Sequence, residues 1–308
     1  MNHRSLKIAL GPILYYWPRE VILSFYQKIA TTPVDIVYLG EAVCSRRHEM
    51  RLDDWLFIAD MLTEAGKQVV LSTLVLIESG SDLTAMRKIT ANGRFMVEAN
   101  DMGAVHCLSI LGAPFVAGPH LNIYNAPALD VMAMLGAHRW VMPLEMDRKG
   151  LMHIKAESTS AMDVEVFAFG RMPLAFSARC FTARHRNLPK DDCQFSCIDY
   201  PDGLLLKTKD ADQFLTLNGI QVQSARFCNL LGQFSELQDA GVHSVRISPQ
   251  LQHTEELIAL FDQVRQGVIS PLDGYACSEQ LLAGIASQSC NGYWTGQPGL
   301  DLRVTESV

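Results

Sequence analysis

The chain has 308 residues, 48% of them hydrophobic and 19% charged, which is enough apolar surface to bury one large domain or at most two. Its formal net charge of -7 argues against broad nucleic-acid binding, which needs a basic face, and leaves only local basic patches such as "SRRHEMR" at 45–51. No apolar run approaches the roughly 20 residues that span a bilayer, and the first twenty residues, broken by Gly11, Pro12 and Pro18, do not read as a signal peptide. A cytoplasmic protein is expected.

Along the chain, short runs rich in Val, Ile and Leu alternate with longer amphipathic ones. "KIALGPI" (7–13) precedes a helical "PREVILSFYQKIA". "VDIVYLG" (34–40) precedes "RLDDWLFIADMLTEAG", where apolar residues recur at three and four. "QVVLSTLVL" (68–76), "FMVEAN" (95–100), "PFVAGP" (114–119), "RWVMPLE" (139–145) and "DVEVFAFG" (163–170) continue the series, with helices expected at 81–89, 101–112, 125–136 and 147–157. A beat of about 25–30 residues is that of βα units in a parallel sheet. Strands apolar enough to be covered on both faces favour a TIM-barrel-like (β/α) barrel over an open sheet, and no GxGxxG follows the first strand.

Beyond residue 170 the rhythm breaks. Strand patterns return at 214–220 and 242–249, and "TEELIALFDQVRQG" closes the series as a helix. The expectation is a single domain over 1–308, with a cysteine-rich segment at 171–213 inserted between the seventh and eighth strands. The functional face of such a barrel is the C-terminal end of its strands. Glu41, Cys44, Glu98, Asn100, Asp101, His120, Asn122, Asn125, Glu145 and Glu165 are all expected there, many of them as ordinary helix caps.

"ARCFTARHRNLPKDDCQFSC" (178–197) holds Cys180, Cys193 and Cys197 at C-x12-C-x3-C, among charged and turn-forming residues that make a poor core. A metal or cluster is the stronger reading of such a loop. Spacing leaves zinc and an iron-sulfur cluster even: His185 is the one histidine in the segment, and three thiolates with a distant fourth suit a 4Fe-4S cluster equally well. Cys107 and Cys228 read as small buried hydrophobes in helices outside the barrel, and Cys290 is open to either role. Tyr15, Tyr16, Trp17, Tyr293 and Trp294 fall in segments that read as exposed, where they would suit an interface or staple the chain ends onto the barrel.

"VEVFAFGRMPLAFSARCFTAR" resembles the signature of the collagenase-like (U32-type) peptidase family, a strand of Glu-x-Phe-x-His-Gly leading through a cysteine to Ser-Gly-Arg-Cys. Glu165, Phe167, Gly170, Ser177, Arg179 and Cys180 match; Phe169 stands for the His, Ala178 for the Gly, and Pro173 where the first cluster cysteine is usual. With "GPILYYWPRE", "DIVYLGEAVCSRR", "FVAGPHLNIYNA", "PKDDC", "FLTLNGIQ", "VRISPQ" and "CNGYW", the chain is similar to a ubiquinone-biosynthesis branch of that family. The resemblance implies a 4Fe-4S cluster held by Cys44, Cys180, Cys193 and Cys197. It also implies a heterodimer with a UbiU-like protein and oxygen-independent hydroxylation of the quinone-precursor ring, with an organic hydroxyl donor such as prephenate. RNA-base hydroxylation and peptidase activity are the alternatives within the family. No Ser-His-Asp order or HExxH motif supports an active peptidase. Glu165 is the candidate catalytic residue, expected to hold Arg179 and so fix the "SARC" turn, and Arg46 and Arg47 are expected to lower the Cys44 pKa.

Overall fold

The computed structural model describes residues 6–283, 285 and 288–303; residues 1–5, the start of the N-terminal stretch considered above, lie outside those described. Strands β1 (Lys7–Leu10), β2 (Ile36–Leu39), β3 (Gln68–Ser72), β4 (Met96–Ala99), β5 (Phe115–Ala117), β6 (Ala137–Val141) and β7 (Asp163–Phe176) pair in parallel in sequence order. The chain then forms an antiparallel set, β8 (Leu204–Lys207), β9 (Gln213–Asn218) and β10 (Gln221–Asn229), before β11 (Ser244–Ile247). Because β11 pairs in parallel with both β7 and β1, eight strands close into a TIM-like barrel.

Helices α1 (Arg19–Ile29), α2 (Leu52–Glu64), α3 (Gly80–Thr90), α4 (Met102–Leu111), α5 (Ala126–Met134) and α6 (Arg148–Glu157) each follow a strand of the same number. Their starts are chemically marked. Ser79 and Asp82 form a reciprocal capping box on α3, while Asp101, Asn125 and Asp147 accept backbone N–H bonds at the starts of α4, α5 and α6. Two of the expected rim residues, Asp101 and Asn125, are therefore caps. Strand alternation divides the core. Ala9, Ile36, Tyr38, Val70, Val116 and Val141 pack together as one cluster, while Leu10, Val37, Leu39, Val69 and Leu71 join the larger core with the helices.

Strand β7 runs six residues past Gly170, and this extension carries β10 antiparallel to it, with Cys228 opposite Gly170. Cys228 is thus on a strand, where the sequence suggested a helix. The run "QSARFCN" is flanked by β7 on one side and on the other by β9 at Gln223 and Ser224 and by Ser289 and Cys290 at Phe227 and Cys228, and these long-range pairings make it a strand. Short helices α7 (Phe181–His185) and α8 (Phe234–Asp239) flank the antiparallel set; α9 (Thr254–Arg265), α10 (Pro271–Ala283) and β12 (Ser289–Cys290) complete the chain.

The aromatic residues at the two chain ends are not exposed. Tyr15, Tyr16, Trp17 and Trp294 are all buried, with Trp17 Nε1 donating to the Pro201 carbonyl at 2.7 Å and Trp294 Nε1 to Glu236 at 3.3 Å. They staple the ends onto the barrel, because burying so much aromatic surface outweighs any gain from leaving it free. None of the described helices is long and apolar enough to cross a membrane.

Candidate functional site

At the C-terminal rim the loop after β2 is locked by its own acid. Glu41 Oε1 accepts from the backbone N–H of Val43 at 2.8 Å and of Cys44 at 3.0 Å, and it faces Arg47 at 3.5 Å. Burial pushes the Glu41 carboxyl up, against the pull of Arg47 and these N–H groups. Arg47 is buried and reaches across the fold, donating to the Leu14 carbonyl at 2.6 Å and to Asn218 Oδ1 at 2.7 Å. Arg46 makes two bonds to Asp191, both at 2.9 Å. The loop that carries Cys44 is therefore tied to the segment that carries the other three cysteines.

Cys44 and Cys180 pack against one apolar patch of Leu14, Val43 and Ile220. Cys180 caps α7, its Sγ accepting from the Ala183 N–H at 3.4 Å. Cys197 lies in the short turn Ser196–Asp199, and its thiol interacts with Arg47 and with Cys180. Before it, Gln194 and Phe195 adopt left-handed backbone at φ 49° and 51°, a costly conformation for a bulky residue that positions the turn. The Phe195 ring is held 6.2 Å from Tyr16 and 6.3 Å from His48.

The structure thus brings Cys44, Cys180 and Cys197 into one neighbourhood around Arg47. Cys193 is half-buried at the foot of the same turn, its carbonyl accepting from Ser196 N at 3.1 Å, and its thiol takes no part in the contacts just described. Among the described residues, no three His, Cys, Asp or Glu side chains are gathered as ligands for one metal ion. The donor chemistry nonetheless suits a thiolate-held group: half-buried thiols, an apolar wall, and a buried cation to offset thiolate charge. In this arrangement burial pushes the Cys44 thiol up to about 11 and also raises Cys197, outweighing Arg47. The expected lowering at Cys44 is not found: Arg47 pulls the right way but desolvation is larger, and Arg46 is spent on Asp191. "SRRHEMR" is accordingly not a free basic patch, since Arg47 is buried and Arg46 is paired.

Deeper in the barrel mouth lies a charged cluster that the sequence did not reveal. Arg246 on β11 bridges Glu98 on β4 at 2.7 Å and Glu165 on β7 at 2.6 Å, and its guanidinium sits 4.1 Å from the Tyr38 ring centroid. Burial opposes ionisation of Glu165, but Arg246 and Arg139 prevail and hold its carboxyl below the usual range. The Glu165 side chain has no exposed surface, and its partner is Arg246, not Arg179, whose backbone N–H bonds Ser177 Oγ at 3.2 Å. Above this cluster, burial and then the Arg246 charge push His120 down to about 3, so it is neutral; its ring meets Phe176 edge-on at 4.8 Å. The mouth is closed around a space of only about 30 Å³, bordered by Glu98, Asn100, His120, Phe167 and Arg246. Glu145 lies outside it and accepts from Tyr124 at 2.9 Å, and Asn122 adopts left-handed backbone after the turn Pro119–Leu121.

The model of peptidase family U32 matches residues 24–298. The chain belongs to this family. Similar solved structures include a U32 peptidase, 11% identical with a TM-score of 0.44 over 80% of this chain and 94% of that one. A putative dihydrodipicolinate synthetase from Pseudomonas aeruginosa is 9% identical with a TM-score of 0.48 over 98% and 95%. A phospho-2-dehydro-3-deoxyheptonate aldolase from Thermotoga maritima is 10% identical with a TM-score of 0.44 over 93% and 72%.

The residues noted as U32-like run along β7 and into α7. Phe169, in place of His, is fully buried 5.9 Å from Phe227, and Pro173 pairs with Gln223 of β10. An apolar ring and a strand proline thus stand where the resemblance led to the expectation of a His and a cysteine. Sequence reasoning placed Glu98 and Glu165 at the rim and Arg47 beside Cys44, but it missed Asn218 and Arg246. A single charge inside each of the apolar runs "FMVEAN", "VEVFAFG" and "VRISP", of opposite signs, was the available signal that Arg246 pairs with Glu98 and Glu165.

Proposed function

We propose that this U32 protein is a UbiV-like iron-sulfur component of oxygen-independent ring hydroxylation in ubiquinone biosynthesis, working as a heterodimer with a UbiU-like protein. Cys44, Cys180, Cys193 and Cys197 would hold a 4Fe-4S cluster. The observation that carries the reading is Arg47, which joins the Cys44 loop to Cys197 across 150 residues of sequence and is buried among thiols. A buried arginine there offsets the negative charge of a thiolate set.

When bound, such a cluster supplies single-electron transfer to or from a nearby organic molecule. The chain's own residues do the positioning. Glu41 fixes the Cys44 loop through two backbone N–H bonds, Arg46 ties that loop to Asp191, and Leu14, Val43 and Ile220 cover one side of Cys44 and Cys180. The organic hydroxyl donor, of the prephenate kind, belongs to the same proposal.

Protein purified without oxygen should be brown and contain about four iron and four sulfide per chain. Stoichiometric zinc without acid-labile sulfide ends the cluster reading. Co-expression with the UbiU-like protein should give a one-to-one complex on size-exclusion chromatography, and two separate monomers would end the heterodimer reading. The stapled aromatics of both chain ends are buried, so the contact must use other surface.

A further inference from the structure

The barrel mouth, where enzymes of this fold place their substrates, has room here for little more than a water molecule. A larger cavity lies elsewhere. A cleft of about 610 Å³ opens between α2 and α3, over the outer faces of β2 and β3, and ends against the Cys44 loop. That volume lies inside the range of about 300–1,000 Å³ usual for small-molecule sites.

Its lining is two-sided. Leu39, Leu71 and Leu74 form an aliphatic floor, and Trp55 of α2 and Ile89 of α3 are among the wall residues. At the loop end stand Ser45, Arg47 and His48, the same Arg47 that contacts Cys44 and Cys197. Lys88 also lines the cleft and, among the described residues, has no ion-pair partner. Glu41 and Asp82 line that end too, with Glu41 facing Arg47 at 3.5 Å, so an apolar space closed at one end by Ser45, His48 and a paired charge suits an amphipathic molecule with a neutral hydrogen-bonding head. Trp55 gives the wall an aromatic component suited to contact with a flat ring.

We infer that the cleft between α2 and α3 binds a phenolic ring carrying an apolar chain, with the phenol end toward the Arg47 loop. The identity of the ring rests on the proposed quinone-biosynthesis role, whereas the volume, the lining and the adjacency to Cys44 stand without it. The inference assigns ring binding to this chain, so no partner is needed for it.

The test is equilibrium dialysis of 2-geranylphenol against the anaerobically purified full-length protein, with palmitate in a parallel arm and iron and sulfide measured on the same samples. Ala85 faces solvent on α3 and lines the cleft, so Ala85→Trp fills the space without touching the core. Saturable binding of 2-geranylphenol at one site, weakened at least about tenfold by Ala85→Trp with unchanged circular dichroism, is the expected result. Absence of saturable binding, equal binding by the variant, or binding of palmitate alone overturns the inference. If 2-geranylphenol binds as expected to protein that lacks iron and sulfide, the cleft stands and the cluster reading falls. If the cluster is present and the ring does not bind, the reverse holds.

Discussion

Arg246 Nε donates to Glu165 Oε1 at 2.6 Å and so bonds the last barrel strand to the seventh from inside the barrel. The same guanidinium reaches Glu98 on β4 at 2.7 Å, and Glu165 also accepts from Tyr38 at 2.9 Å and Ser244 at 2.8 Å. One ion cluster therefore braces β2, β4, β7 and β11 at the level where the barrel closes. In so little solvent, losing one partner leaves the others uncompensated.

Replacing Glu165 by Gln keeps the shape and removes the charge. Arg246 then retains Glu98, but Arg139, 3.8 Å from Glu165, loses its carboxylate. Unfolding free energy in urea should fall by about 3 kcal/mol, the scale for breaking a buried pair. Glu165 thus acts first on stability. A wild-type urea midpoint for Glu165→Gln, with activity lost, would instead make the residue chemical.

Gly170 is held at φ 127°, and a Cβ there would lie 2.5 Å from Ser248 Cβ. The glycine is needed where the long β7 leaves the barrel and turns to accept β10. Gly170→Ala should cost about 3 kcal/mol or more from backbone strain and the clash together. Urea denaturation measures it, and a cost under about 1 kcal/mol would show that β7 relaxes freely.

The barrel was legible because its strands are apolar on both faces and its helices carry their caps in sequence; Asp101, Asn125 and Asp147 are where capping chemistry puts them. The antiparallel addition was less so. Strand β7 continues past Gly170 through Pro173, a residue that usually argues against a strand interior, and Cys228 gains its strand by pairing with Gly170 on one side and Cys290 on the other. Long-range partners decided the rest. Nothing near Arg47 in sequence indicates that its bonds go to Leu14 and Asn218, and nothing near Glu165 points to Arg246.

His120 gives the fold a pH dependence. Its folded-state value, about 3, is depressed by burial and by the Arg246 charge from an ordinary 6.5. The unfolded chain therefore binds the extra proton first as pH falls, and the contribution present above 6.5 is lost progressively below it, by up to about 1.4 kcal/mol per pH unit. Urea midpoints at pH 7, 6 and 5 should decline, and His120→Gln should flatten the decline. An unchanged slope in the variant would assign the effect to other groups.

The proposed assignment of Cys44 as fourth ligand is tested by comparing cysteine variants. Cys44 shares with Cys180 the patch of Leu14, Val43 and Ile220, whereas Cys290 pairs with Cys228 across β12 and β10, and Cys107 lies on α4. Cys44→Ala should give soluble, folded protein that retains no full cluster and does not support anaerobic quinone synthesis. Its thiol touches little that the fold depends on, so the stability of the metal-free chain should change by less than about 1 kcal/mol. Cys107→Ala and Cys228→Ala should keep wild-type iron, the latter at a packing cost of about 1 kcal/mol for a buried thiol. Iron and sulfide content with urea midpoints on each variant separates the cases. Should Cys44→Ala bind as much iron as wild type while Cys290→Ala loses it, the fourth thiolate comes from β12, and the Arg47 neighbourhood serves the fold alone.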